Sequence, residues 1–392
     1  MRAGLFLLCL GYVLSQFFRA FLAVLSGVLQ DDIGAGPDAL AQASGLWFLS
    51  FAAMQLPVGW ALDRIGPRRT ASVLLLAGGG GGALIFALAT SPAHINIAML
   101  LIGVGCAPLL MASYYIFARQ FPVAQFATLA ALMLGAGSMG NLVASYPMAF
   151  AAETVGWRAS MIGLAIISAL VALGIALLVR DPERVEGEEK GSVLDLLKMR
   201  ALWPIFPLML VNYMPVAGIR GLWIGPYLSD IFGSSTTQIG QASLVMSIAM
   251  IIGTFCYGPL DRIFKTQKWV IFTGNLLCAL ALAALVIFVS EGLLLAVTLC
   301  AVIGFFGVSF PVVLAHARSF IPPHLAGRGV TLLNLFGIGG VGVLQFASGS
   351  VHGRMAEAHG SETAYVALFG LFAVLMVIGL AVYLFSRDAP RG

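Results

Sequence analysis

Apolar stretches alternate with short polar intervals along the whole chain, and each stretch comes close to the ~20 residues that a helix needs to cross a bilayer. Twelve such stretches run over 4–29, 39–62, 70–90, 95–117, 126–150 and 157–179, then 203–228, 238–258, 269–289, 293–316, 326–349 and 363–385. They are numbered helices 1 to 12 in that order. One interval stands apart: RDPERVEGEEKGSVLDLLKMR, 180–200, holds 11 charged residues among 21. The pattern predicts an N-terminal six-helix bundle over 1–180, a charged cytoplasmic linker over 181–200 and a C-terminal six-helix bundle over 201–392.

Composition sharpens this reading. The chain is 60% hydrophobic and 10% charged, against ~25% charged in soluble domains, so the expected fold is an all-α integral membrane protein. Of its 21 Lys and Arg, all but Arg19, Arg158, Arg220 and Arg354 fall at the termini or in the even-numbered loops. The positive-inside rule then places both termini in the cytoplasm of a bacterial-type inner membrane. The net charge of +4 reflects that topology and implies no nucleic-acid partner. MRAGLFLLCLGYVLSQFF resembles a signal peptide but lacks a small-residue cleavage site, so it is read as helix 1, retained. Cys9, Cys106, Cys256, Cys278 and Cys300 lie scattered inside predicted helices. Their spacing fits no metal, and no cofactor motif occurs.

The two halves repeat. Tyr12 and Arg19 match Tyr213 and Arg220 at offset 201. Gln42-Ala43-Ser44 matches Gln241-Ala242-Ser243 at 199, LDRI at 62–65 recurs at 260–263, and Arg119 and Phe121 match Arg318 and Phe320 at 199. Four ordered matches within three residues of one offset mark a duplicated six-helix unit, as in many secondary transporters.

GWALDRIGPRRT, 59–70, lies between helices 2 and 3. It resembles the G-x-L-A-D-R-x-G-R-[RK] signature of the major facilitator superfamily: Gly59, Asp63, Arg64, Gly66, Arg68 and Arg69 fit, Ala61-Leu62 inverts the usual pair, and Pro67 interrupts the basic run. The resemblance implies twelve helices in two pseudo-symmetric bundles. It also implies a conformational latch built from Asp63, Arg64, Arg68 and Arg69, with a degenerate second copy at Asp261 and Arg262. In that family the aspartate accepts from the N-terminus of helix 11, where the macrodipole favours an anion. The Gly-Pro ending of helix 5 found in drug/proton exchangers is absent from GAGSMGNLVASYP, 135–147.

Arg19 and Arg220 are the only charged residues well inside predicted helices, where an arginine costs ~2.5–3.5 kcal/mol or more. Tyr12, Gln16 and Arg19 follow i, i+4, i+7; Tyr213, Arg220, Trp223 and Tyr227 follow i, i+7, i+10, i+14. On straight helices each set shares one face. Guanidinium forks bind carboxylate and phosphate bidentately, so these residues form the expected substrate site. Paired arginines on helices 1 and 7 also resemble the organic-anion and organophosphate exchanger branch of the superfamily. The competing reading is an arginine capping carbonyls at a kink near Pro215 or Gly218; helix 1 carries Arg19 without a nearby proline. Tyr114, Tyr115, Asn141, Asn334 and Gln345 are further polar candidates for the site or for helix–helix hydrogen bonds, and His316 is read as a solvated loop residue. The glycine run Gly78–Gly82 predicts close helix packing.

All 17 Asp and Glu fall in loops, the linker or the signature positions. No deep carboxylate offers a proton relay. The expected protein is therefore a transporter and not an enzyme, acting as a monomer and moving a small organic anion, with exchange as its coupling. Proton-coupled transport of another small metabolite or drug, and a ligand sensor of transporter fold, remain as alternatives.

Overall fold

A computed structural model describes residues 2–182, 196–322 and 326–388. The middle of the charged linker lies outside it, as do the side chains of Asp261 and Arg262. Among the described residues the secondary structure is helical throughout. Eleven helices are long and apolar enough to span a membrane, and a twelfth span is a pair bent by 54°.

The first compact unit comprises Met1–Gly187 with Thr236–Gln241. Its helices are the bent helix 1 (Arg2–Phe18 and Leu22–Ile33), helix 2 (Pro37–Arg64), helix 3 (Pro67–Ala87), helix 4 (Pro92–Gln120), helix 5 (Leu129–Thr154) and helix 6 (Trp157–Leu178). The second unit comprises Glu188–Ser235 with Ala242–Gly392. It holds helix 7 (Ile205–Phe232), most of helix 8 (Thr236–Phe264), helix 9 (Gln267–Ile287), helix 10 (Leu293–Arg318), helix 11 (Ala326–His359) and helix 12 (Ser361–Tyr383). Helix 11 outruns its predicted end at 349 because hydropathy falls there while the backbone continues through His352 and Arg354.

Packing follows from small residues where helices must approach. On helix 3 a Cβ at Gly78 would lie 2.5 Å from the Leu101 carbonyl and 2.6 Å from the Gly105 amide of helix 4. Contact at that range needs glycine on both helices, which is how membrane helices gain van der Waals energy. Helix 3 also widens there into a π-helical stretch, Leu75–Gly80. Arg158, one of two basic residues on the outer side by the charge rule, is neutralised locally. Its guanidinium donates to Asp32 (2.9 Å) and to the carbonyls of Ala87 (3.1 Å) and Ala89 (2.7 Å), closing the end of helix 3.

The duplication extends to a pair of carboxylates that the sequence comparison did not single out. Asp181, just after helix 6, accepts from the Arg68 amide at 2.8 Å in the first turn of helix 3. Asp388, just after helix 12, accepts from the amides of Gln267 and Lys268, both at 3.1 Å, in the first turn of helix 9, and from the Thr266 hydroxyl. Each carboxylate thus satisfies orphan donors at the positive end of a helix. Gly66, at φ +100°, admits Asp181 so closely that a Cβ would stand 2.8 Å from its carboxylate. Lys265 is the only non-glycine with positive φ among the described residues, at +53°, and keeps the second loop similarly tight.

His316 departs from expectation. It is buried, because the end of helix 12 and the chain after it cover the end of helix 10. Its Nε2 lies 2.9 Å from the Arg387 carbonyl and its Nδ1 2.8 Å from the Tyr383 hydroxyl. A carbonyl only accepts, so in the neutral ring Nε2 carries the hydrogen and Nδ1 accepts from Tyr383.

Burial alone would raise the Asp388 carboxyl, but the hydrogen bonds from Thr266, Lys268 and Gln267 outweigh it and hold the group below the ordinary aspartate value. A depressed folded-state pKa gives stability that is fully present above about pH 4, the ordinary range, and is lost as pH falls through the lowered value. Asp388→Asn should therefore lower the melting temperature at pH 7, and the gap to wild type should close on acidification toward pH 3; melting curves across that range check it.

Candidate functional site

On helix 1, Tyr12 and Gln16 come together as their i, i+4 spacing predicts. Gln16 donates to the Tyr12 hydroxyl one turn earlier. Tyr12 is buried against Phe117 and Met133, and it needs Gly137 on helix 5, where a Cβ would stand 2.3 Å from its ring. Arg19 occupies the first residue after Phe18, where helix 1 breaks. The amides of Ala20 and Phe21 both turn back to the Phe17 carbonyl, at 2.9 and 3.2 Å, so the break satisfies its own donors without proline. The half-buried guanidinium lies over the rings of Trp47 (5.1 Å), Phe51 (5.4 Å) and Phe48 (5.9 Å) on helix 2. An aromatic enclosure compensates a cation for lost water while leaving the N–H edge of the fork for an anion. These three aromatics were not singled out in the sequence; the spacing i, i+1, i+4 of WFLSF, 47–51, is the signal that could have found them.

Helix 7 is interrupted in a different way. After Pro215 the backbone passes into a π-helical stretch, Ile219–Trp223, and Arg220 lies within it. Arg220 is wholly buried, and among the described residues it is the only buried member of the Asp, Glu, Lys and Arg set. A π-helical turn shifts the register of every residue beyond it. Straight-helix counting from Tyr213 therefore misplaces the later members of the predicted face. Trp223 donates to Gln345 (3.2 Å) and Ser348 (3.0 Å) on helix 11, and Tyr227 to the Val289 carbonyl at 2.6 Å. Both are buried side chains that hold helix 7 to its neighbours. Tyr213, half-buried, lies beside Phe310 with ring centroids 5.6 Å apart and the planes tilted by 49°.

The remaining candidates separate by environment. Gln345 is fully buried and anchors the Trp223 indole. Tyr114, Asn141 and Asn334 are half-buried, and Tyr115 underlies the Arg119 guanidinium at 4.3 Å. His352, absent from the sequence-derived set because hydropathy ended helix 11 before it, is buried at 4% exposure. Its ring lies 4.9 Å from Trp223 and 4.8 Å from Tyr365, which donates to Asp230 at 2.6 Å.

In the signature loop, Asp63 is exposed and lies 3.8 Å from Arg119 at the end of helix 4. Arg64 and Arg69 are exposed, and Arg68 approaches Asp181 at 4.0 Å. The carboxylate seen accepting helix amides here is Asp181. The helix 11 partner implied for Asp63 belongs to a terminus whose first side chains lie outside the described residues.

Comparison with known proteins agrees with this architecture. A probable sulfoacetate transporter of Cupriavidus necator is 24% identical over 404 residues, covering 96% of this chain and 92% of that protein. An uncharacterized transporter of Bacillus subtilis is 23% identical over 190 residues, 48% of this chain and 43% of that one. Among solved structures, a bacterial homologue of the human lysosomal transporter Spinster, inward-facing and unoccupied, superposes with a TM-score of 0.75 at 18% identity, covering 99% of this chain and 98% of that one. A D-xylose–proton symporter gives 0.73 at 16% identity over 95% and 96%. The Major Facilitator Superfamily model matches residues 8–344 and 205–392, so the chain belongs to that superfamily of membrane transporters.

Proposed function

We propose that this transporter moves a small organic anion by alternating access, with Arg19 and Arg220 binding its acidic groups. The observation that carries the reading is where these two cations sit. Each occupies an irregular turn of its helix, a break in helix 1 and a π-helical stretch in helix 7. Charges and irregular backbone are both costly in a membrane interior and mark functional positions there. The relative named as a probable sulfoacetate transporter supports the same substrate class. Sulfoacetate carries a carboxylate and a sulfonate, one acceptor group for each guanidinium. The latch is assigned to the signature loop, with Asp63 and its arginines biasing one conformer without touching substrate.

Charge balance makes exchange the favoured coupling. Arg19 and Arg220 give the proposed site two positive charges, and among the described residues no Asp or Glu is buried. A bound anion offsets that charge, so the loaded carrier reorients faster than the empty one. His352 favours a second reading, proton-linked uptake, since helix 11 buries an imidazole against Tyr365, which itself donates to Asp230.

Lysine keeps the charge of arginine but loses the planar fork. Arg19→Lys and Arg220→Lys should each weaken anion binding by ~10-fold or more, the scale of a lost charge-assisted hydrogen bond, in folded protein. Sulfoacetate titrations of purified protein check this, and wild-type affinity in both variants would remove the arginines from the site. Asp63→Asn should slow turnover far more than it weakens binding; lost affinity with intact turnover would move Asp63 into the site.

The coupling is checked in liposomes given labelled sulfoacetate outside. Exchange requires unlabelled anion inside for fast uptake. Equally fast uptake into empty vesicles under an inward proton gradient selects the proton-linked reading.

A further inference from the structure

The first unit carries a groove of about 760 Å³ between the last turns of helix 2 and the first turns of helix 3. Its walls are apolar, with Val58, Ala61 and Val73 among them, and Arg68 and Arg69 stand in its lining beside Thr70. Trp60, 61% exposed, also borders it. We propose that this groove binds an anionic phospholipid of the cytoplasmic leaflet, with an acyl chain along the apolar walls and the phosphate on Arg69 and Arg68.

Four observations converge on that occupant. The distribution of lysine and arginine puts the loop between helices 2 and 3 on the cytoplasmic side, so the mouth of the groove lies at headgroup level. Arg69 is exposed and the Arg68 side chain is 40% exposed. Two adjacent guanidiniums over an apolar slot complement a phosphodiester above a hydrocarbon chain, and basic pockets between membrane helices on the cytoplasmic side recognise anionic headgroups. Thr70, 6% exposed, lines the groove with its Oγ1 buried and without a hydrogen-bond partner. A phosphate or glycerol oxygen at the mouth would supply that partner. An indole at the rim fits the same depth, since tryptophan prefers the interface.

The duplicated half provides an internal control. A corresponding groove of about 360 Å³ in the second unit is lined by Leu260, Phe264 and Trp269 among others, and none of its described lining residues is a lysine or arginine. The apolar slot is common to both halves, and among the described residues the cationic lining belongs to the first. Lipid selectivity should follow the arginines. Because Arg68 and Arg69 belong to the signature loop, lipid occupancy also bears on the loop that the family resemblance makes a latch.

The test uses the full-length protein in detergent with phosphatidylglycerol and phosphatidylcholine of matched chains, and reads bound lipid by native mass spectrometry. Wild type should retain phosphatidylglycerol over phosphatidylcholine by about fivefold or more, the scale of one surface arginine acting on an anionic lipid. Arg69→Gln should bring that preference down by about fivefold. Ala61→Phe, which fills the slot without touching charge, should reduce retention of both lipids. Lys268→Gln, beside the groove of the second half, should change neither. Equal retention of the two lipids by wild type, or undiminished preference in Arg69→Gln, overturns the proposal. Displacement of phosphatidylglycerol by inorganic phosphate alone at equal concentration also overturns it, by showing a free-anion site in place of a lipid site.

Discussion

A backbone in lipid must satisfy its own hydrogen bonds, and every departure from a regular helix inside the membrane has to be sealed by the surrounding protein. This constraint organises the structure. Helix 1 breaks after Phe18, with the amides of Ala20 and Phe21 returned to one carbonyl. Helix 7 passes through a π-helical stretch after Pro215, with Trp223 tied to helix 11 and Tyr227 to the Val289 carbonyl. Such breaks persist where neighbouring side chains make them tolerable. In both helices the arginine sits at the irregular turn.

The duplicated architecture carries its asymmetries in single residues. Asp181 and Asp388 close the first turns of helices 3 and 9 by the same chemistry, a carboxylate on helix amides. The position of Phe117 in the first half is taken by His316 in the second, at the offset of 199 that relates Arg119 to Arg318. Phe117 packs with Tyr12 and Met133, whereas His316 bridges Tyr383 and the Arg387 carbonyl. One half closes this end with apolar packing and the other with a polar bridge. The grooves beside helices 2 and 8 are alike in their apolar walls and differ, among the described residues, in the charge of their lining.

Electrostatics ties these parts to transport. Arg19 is enclosed by the faces of three aromatic rings, which compensate the cation without neutralising it. Asp32, Asp63, Asp181 and Asp388 all meet their partners at helix ends. Under the proposed function, an incoming anion would add to the compensation of Arg19 and give the substrate a role in the conformational cycle.

The sequence by itself determined the all-helical membrane fold and the number of spans, and it singled out the two arginines within helices, Arg19 half-buried and Arg220 buried. These follow from hydropathy length and residue identity, which are local or one-dimensional properties. The close approach at the glycine run of helix 3 was equally legible, because only small residues permit it. Tertiary structure decided what counting along a straight helix cannot. The π-helical stretch changes the register beyond Arg220 and sends Trp223 and Tyr227 into interior packing. Burial of His316 depends on the chain after helix 12 folding over helix 10, a contact 71 residues away in sequence. The aromatic enclosure of Arg19 and the caps by Asp181 and Asp388 likewise join residues distant along the chain. Periodicity describes one helix at a time, and a side chain's partner is set by which helices pack together.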